Sequence, residues 1–258
     1  MTDAVERHVK EIEWIRGRLL SMDSMINPLM GVRDWDDSVI VAFGGRKLVA
    51  SVDGPYTKRL VMKSALVHAS TDVVVKGARP LFALDSIIGK RADLEDMIGS
   101  LKRQSEALGI PILGGNTLIE DVEARCSIAV LGELLLPAPI RDSGARKGDV
   151  IALLGEPLWG EQEERLTKAL RLFDAWYRIL KAGVKINSSK DVTKGGLVSV
   201  VYEMEKKSGR KFKLSNQLEF PLTRNMDNFL LTLGPDEYGR LERLCANKCA
   251  LAEIGSVG

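Results

Sequence analysis

Cysteine, histidine and aromatic residues are scarce in this 258-residue chain: three cysteines, two histidines and 5% Phe, Trp and Tyr. Three cysteines do not make a disulfide framework. Cys245 and Cys249 stand four apart, with Cys126, His8 and His68 far off in sequence, which suits a zinc site poorly and reads as semi-buried thiols. An excess of one charge is also missing. The 37 basic and 35 acidic side chains leave +2, neither half is strongly basic, and a nucleic-acid face is not indicated. With 45% hydrophobic residues the chain is not of the disordered class. It has no apolar run of about 18 residues, the minimum for a membrane-spanning helix. Its charged start (Asp3, Glu6, Arg7, Lys10) lacks the apolar core of a secretion signal, so a cytoplasmic location is expected. The common nucleotide fingerprints are absent too. Gly89-Lys90 has Leu84 where a P-loop needs its first glycine, and no G-x-G-x-x-G follows a strand.

What is present is an alternation of helical and extended patterns. Apolar positions three or four apart predict an amphipathic helix over 4–20, and residues 23–36 read as loop. Two β-branched runs, 38–43 and 47–52, flank Gly44-Gly45-Arg46 and predict a hairpin. Helix is expected over 60–76, a buried strand over 81–88, helix over 93–108 closed by Gly109, and strand over 122–136. Pro137, Pro139 and the polar stretch 141–147 suggest a boundary between domains at 1–140 and 141–258. The second would hold strands at 149–154, 228–233 and 249–257 and helices at 161–182, 196–207 and 235–246. The fold class is α/β, or α+β.

The chemical signal is a set of polar groups at the ends of apolar strands. Asp36 and Asp37 precede the first strand, and Asp53-Gly54 follows the second within SVDGPYTK. Asp72 interrupts an apolar segment, Gly114-Gly115-Asn116-Thr117 follows IPIL, and Asp191 precedes Gly195-Gly196 in KDVTKGGL. Carboxylates held at strand ends give hard oxygen ligands for Mg²⁺. Paired glycines let a backbone approach phosphate closely, and Lys58 offers a compensating cation. Each feature also has a plainer reading. Asp36-Asp37 and Asp53-Gly54 suit solvated turns, Gly114-Gly115 suits a simple loop, and Asp72 suits an exposed helix position. His68 reads as a packed histidine on an apolar helix face, and the basic stretch 206–213 as a solvated one.

Taken in order, these segments resemble the aminoimidazole ribonucleotide (AIR) synthetase, or PurM-like, superfamily. Its members include AIR synthetase, formylglycinamidine ribonucleotide synthetase, thiamine-monophosphate kinase, selenophosphate synthetase and the hydrogenase-maturation carbamoyl dehydratase. SVDGPYTK, STDVVVKGARPLFALD, GGNT, KGDVIALLG and KDVTKGGL look like five of its motifs, spread over about residues 30–258. The subfamily it is most similar to is that of uncharacterised archaeal AIR-synthetase-related proteins of the methanogenesis-marker type. The resemblance implies an N-terminal four-stranded sheet that pairs with a second copy into a dimeric β-barrel, and a C-terminal α/β domain that closes a cleft for ATP and Mg²⁺. By matched position, Asp36, Asp37, Asp53 and Asp72 would meet metal. Asp53, Gly54, Lys58, Asp72, Gly114, Gly115, Asn116, Thr117, Asp191, Gly195 and Gly196 would meet nucleotide. Lys58 and Asp191 are the candidates for catalysis.

The chain departs from the family pattern at Thr71, where Asn is usual, and at Asn116, where Asp, Glu or His is usual. It has no cysteine before Cys126 and none at its end, and its second domain is short. The expected function is ATP- and Mg²⁺-dependent phosphoryl transfer to an unidentified small-molecule acceptor by a homodimer. The alternative is a non-catalytic nucleotide-binding accessory or regulatory homodimer.

Overall fold

The computed structural model describes Glu6, Lys10, Glu13, Trp14 and residues 16–215 and 221–258. The helix expected over 4–20 falls partly outside these residues; those of it that are described, 16–19 among them, are helical. Residues 23–36 are not wholly loop, since Asp23–Ile26 forms a short helix, α1.

Two five-stranded sheets organise the described residues. The first has the order β1-β2-β5-β3-β4, from β1 (Val39–Phe43), β2 (Arg46–Thr57), β3 (Ala78–Gly89), β4 (Ile112–Ile119) and β5 (Arg125–Leu134). Its pairs are antiparallel except β3 with β4, which run parallel. The expected hairpin forms with Gly44 and Gly45 at φ +56° and +78°, values suited to glycine and to the tight turn of a two-residue loop. The sheet has five strands rather than the four that the resemblance implies, and GGNT is not a turn after one of them. Those residues continue β4, with Gly115 opposite Asp85 and Asn116 opposite Ser86. The sheet is open, with β1 and β4 at its edges, and no closed barrel is seen.

Four helices lie between residues 58 and 181. The helix expected over 60–76 divides into α2 (Lys58–Val61) and α3 (Ala65–Val74), broken at Ser64. Next come α4 (Arg91–Leu108), ended by left-handed Gly109 as expected, and α5 (Gln162–Lys181). The second sheet has the all-antiparallel order β7-β9-β6-β10-β8, from β6 (Val150–Leu154), β7 (Ser188–Asp191), β8 (Phe212–Leu214), β9 (Phe229–Leu233) and β10 (Leu251–Val257). Helices α6 (Gly196–Ser208) and α7 (Pro235–Cys245) complete it. Strands β7 and β8 were not expected; the rest match the sequence reading within a few residues.

Helix α3 is buried almost all round, with Asp72 the least covered of its residues. Leu66, Ala69 and Val73 join the core under the first sheet. Val67 and Val74 join a second core built from α5, α7, β6 and β9. A helix apolar on all sides belongs between two layers. Its C-terminal carbonyls, which a helix leaves unpaired, are met by the Trp176 indole N–H on Val74 (2.6 Å) and the Ser189 hydroxyl on Val75 (2.6 Å). The strand at 81–88 is buried on one face only. Its Leu84 lies open on the far face, in one row with Val52 across Ala129.

Gly115 marks the closest approach of β4 to β3: a Cβ there would stand 1.6 Å from the Asp85 carbonyl oxygen. Gly115→Ala should therefore cost about 2–3 kcal/mol in urea unfolding. Gly109→Ala, at φ +66° with open space around it, should cost only about 1 kcal/mol. Equal losses would mean that β3 and β4 separate freely.

Candidate active site

Three carboxylates converge where the two sheets meet α3. Asp37 comes from the loop before β1, Asp72 from α3 and Asp191 from the end of β7. One oxygen from each lies within 4.8 Å of the other two. Their neighbours fix them. The Ser51 hydroxyl donates to Asp72 Oδ2 (2.8 Å), and the Thr71 hydroxyl donates to Asp191 Oδ2 (2.6 Å). Asp191 is 1% exposed, and its Oδ1 has no hydrogen-bond partner. A buried carboxylate oxygen without a donor costs free energy unless something else meets it.

Beside the triad lies a buried set of lysines. Lys190 Nζ pairs with Asp37 Oδ1, and Lys76 Nζ lies 3.2 Å from Asp37 Oδ2. Lys76 also pairs with Asp142 and donates to the Ser189 carbonyl (2.9 Å). Lys207 meets Asp142 Oδ2 at 2.5 Å. Asp36 turns the other way. It takes a 2.5 Å bond from Arg141 Nε and accepts the Asp142 N–H at 3.2 Å, so it is not one of the three that converge.

These contacts set opposite protonation tendencies. Burial alone would raise the Asp37 carboxyl, but Lys190 and Lys76 hold it below the usual carboxylate range. Burial, then the charges of Asp191, Asp37 and Asp53, keeps Asp72 well above that range. Burial and Asp37 push Asp191 up to about 7, against the pull of Lys190 and the Thr71 bond. The triad therefore holds protons that a cation would displace.

Asp53 borders this cluster through His68. Its Oδ1 accepts the Gly54 N–H at 2.6 Å, and its Oδ2 lies 3.3 Å from His68 Nε2. The other ring nitrogen, Nδ1, lies 2.5 Å from Asp227 Oδ1. Tyr56 packs edge-on against the ring, with centroids 5.6 Å apart. Burial works against charge on His68, but the charge of Asp227 and its hydrogen bond, then Asp53, prevail and raise it to about 10. His68 is thus a packed histidine, as expected, but a doubly paired cation rather than a neutral ring.

The remaining candidates stand elsewhere. Lys58 Nζ is engaged by Asp93 (2.7 Å) and Asp96 (2.6 Å) of α4 and is not a contact of the triad. Gly114, Gly115 and Thr117 line a separate cavity of about 490 Å³ with Asp85 and α4 residues. Asp53, Ile128, Asp85 and Gly115 occupy one row across four adjacent strands. Gly115 therefore stands about 14 Å from Asp53 along the sheet and does not join the triad within one chain. Gly195 and Gly196 open α6 at φ +86° and +65°, just beyond Asp191. A Cβ on Gly196 would strike the Leu222 carbonyl at 2.5 Å, so the second glycine serves close backbone packing. Sequence reasoning missed Lys76, Lys190, Lys207, Asp142 and Asp227. The lysine inside VVVKGA was the readable signal, since a charge in an apolar run needs a buried partner.

A family model for the N-terminal domain of AIR synthase related proteins matches residues 35–134. An uncharacterised protein of Methanocaldococcus jannaschii is 35% identical over 258 residues, covering 97% of this chain and 85% of that protein. A chain of the HypE–HypF complex matches with a TM-score of 0.69 at 18% identity, covering 88% of both chains. T. maritima PurL complexed with ATP matches with a TM-score of 0.71 at 14% identity, covering 84% of this chain and 41% of that one.

Two outcomes test the electrostatics. Lys76→Met leaves Asp142 and Asp37 short of a partner in the interior and should cost roughly 3–5 kcal/mol in urea unfolding; a loss below about 1 kcal/mol would show that the network relaxes. His68 gains proton affinity on folding, so its contribution is complete below about pH 6.5 and fades as pH rises toward 10. The stability gap between wild type and His68→Gln should therefore shrink across that window by on the order of a few kcal/mol. A gap independent of pH would mean the ring is neutral.

Proposed function

This chain belongs to the AIR synthase related, PurM-like superfamily, and from that premise we propose that it is a Mg²⁺- and ATP-dependent phosphoryl-transfer enzyme with a small-molecule acceptor. The observation that carries this reading is the triad: three carboxylates from separate parts of the chain, with one buried oxygen left unpaired at Asp191. Such a donor set fits a hard divalent cation. Asp37, Asp72 and Asp191 would hold Mg²⁺, with Asp53 alongside, and the ion would supply charge neutralisation of transferring phosphate oxygens.

The chain's own groups do the positioning. Lys190 and Lys76 keep Asp37 ionised, Ser51 orients Asp72, and Thr71 orients Asp191. His68, on α3, orients Asp53 of β2 and cannot act as a base while it is charged between two carboxylates. Phosphoryl transfer relies mainly on positioning and charge, so a strong base is not required. We assign the nucleotide chiefly to residues 1–140 and the acceptor to 141–258. We further propose a homodimer through the outer face of the first sheet, where Val39, Phe43, Val52 and Leu84 are exposed. An open apolar sheet face of this kind suits contact with a second copy.

A second reading, a nucleotide-binding accessory protein without turnover, is favoured by the neutral Asn116 and by the engagement of His68. Single-turnover release of γ-phosphate with candidate acceptors separates the two: product formation supports the enzyme, and Mg-ATP binding without product across a broad panel supports the accessory protein.

Thermal denaturation tests the site itself. Saturating Mg-ATP at about 100 times Kd should stabilise the wild type by about 2.7 kcal/mol. Asp72→Asn should abolish that gain without lowering the ligand-free midpoint, because the carboxyl is already pushed toward its neutral form by its neighbours. Retention of the gain would remove Asp72 from the site.

A further inference from the structure

Two arginines away from the triad, Arg165 and Arg224, form no ion pair with a carboxylate among the described residues. Arg165, in the first turn of α5, is half-buried. Its Nε donates to the Gly160 carbonyl (2.8 Å) and its Nη1 to the Ser64 hydroxyl (3.0 Å), which leaves Nη2 free. Arg224 stacks on the Trp159 indole, its Cζ 4.0 Å from the ring centroid. That indole is itself fixed, since its N–H donates to the Asn225 carbonyl at 2.7 Å. Trp159 and Gly160 are consecutive, so the two guanidinium groups are anchored on neighbouring residues, one from the α5 side and one from the loop before β9.

Both are held by contacts other than an ion pair, Arg165 half-buried and Arg224 exposed on the Trp159 ring. Burial lowers the proton affinity of Arg165; Asp227 pulls the other way, and the positive charge of Arg224 adds to the lowering. Guanidinium groups gathered under these conditions gain from an oxyanion, which their planar forks bind through paired N–H donors. The position is informative as well. Ser64 caps α3, His68 and Asp72 follow it at four-residue spacing, and the Ser64 carbonyl accepts the His68 N–H at 2.9 Å. Residues at this spacing share one helix face. At a rise of 1.5 Å per residue, Asp72 lies about 12 Å along α3 from the serine that Arg165 holds. That separation sets the arginines apart from the carboxylates of the triad.

We propose that Arg165 and Arg224 form a binding site for an oxyanion, the phosphate or carboxylate group of the acceptor, distinct from the nucleotide's site. The inference rests on the phosphoryl-transfer reading for its acceptor but not for its anion site. Inorganic phosphate and, in parallel, acetate serve as probes with the full chain in the absence of nucleotide, followed by calorimetry and by tryptophan fluorescence.

Phosphate should bind the wild type, and Arg224→Met and Arg165→Met should each weaken it at least tenfold while Mg-ATP affinity stays within twofold. Arg165→Lys, which keeps a charge, should recover part of the loss. Trp159→Phe should remove the fluorescence response and retain the calorimetric one. Acetate bound more tightly than phosphate assigns the site to a carboxylate, and phosphate bound more tightly assigns it to a phosphate; either supports the site. Unchanged phosphate affinity in both methionine variants, or no binding of either probe to the wild type, overturns it. A parallel fall in Mg-ATP affinity also overturns it, because the arginines would then serve the nucleotide. If the wild type binds phosphate as expected but not Mg-ATP, the phosphoryl-transfer reading fails and the anion site stands.

Discussion

The ammonium group of Lys76, fully shut away from water, sets the terms for much of this molecule. A charge in that position is tolerable only with anionic and carbonyl partners close by. Here they come from three places: Asp37 before the first strand, Asp142 in the connection between sheets, and the Ser189 carbonyl on β7. Meeting that requirement draws the loop, the connection and the strand onto the end of α3. Asp37, Asp72 and Asp191 ride on those same segments, so the packing that satisfies one cation assembles the carboxylate cluster.

The cluster is uneven by construction. Lysines crowd Asp37 and Asp142 and keep them ionised, whereas Asp72 and Asp191 sit on the side where negative charge is in surplus and proton affinity rises. That asymmetry separates a structural half of the network from a half able to take a new cation. Asp36, adjacent in sequence to Asp37, shows how finely the division runs: one residue away, the carboxylate is committed to Arg141.

Elements with strong periodic patterns were legible in the sequence. The hairpin around Gly44-Gly45, the helix closed by Gly109 and the strands at 150–154 and 229–233 follow from alternation, helical spacing and glycine placement. Strand β7 was not legible. Ser188, Ser189, Lys190 and Asp191 are all buried, yet all polar, and hydrophobicity cannot announce a strand whose side chains meet Thr232, the Val75 carbonyl, Asp37 and Thr71 from distant segments. GGNT misled for the opposite reason. Glycines that suit a turn also suit a strand pressed against its neighbour, and only the register with Asp85 decides between them. At the site, Asp72 was readable as a charge in an apolar segment, Asp37 as an acid just before a strand and Asp191 as an acid ahead of paired glycines. The pairing of His68 with Asp227 was not, because those residues are 159 positions apart and no local pattern joins them.

Helix α3 lends side chains to the interiors of both sheets. Neither interior is complete until the other has closed on the opposite side of that helix. Its removal would open two cavities at once, so the two layers have little capacity to melt in separate stages. A chain wired in this way is expected to lose its structure in a single all-or-none transition and to regain it only after distant segments have met, at the pace that long-range topology imposes.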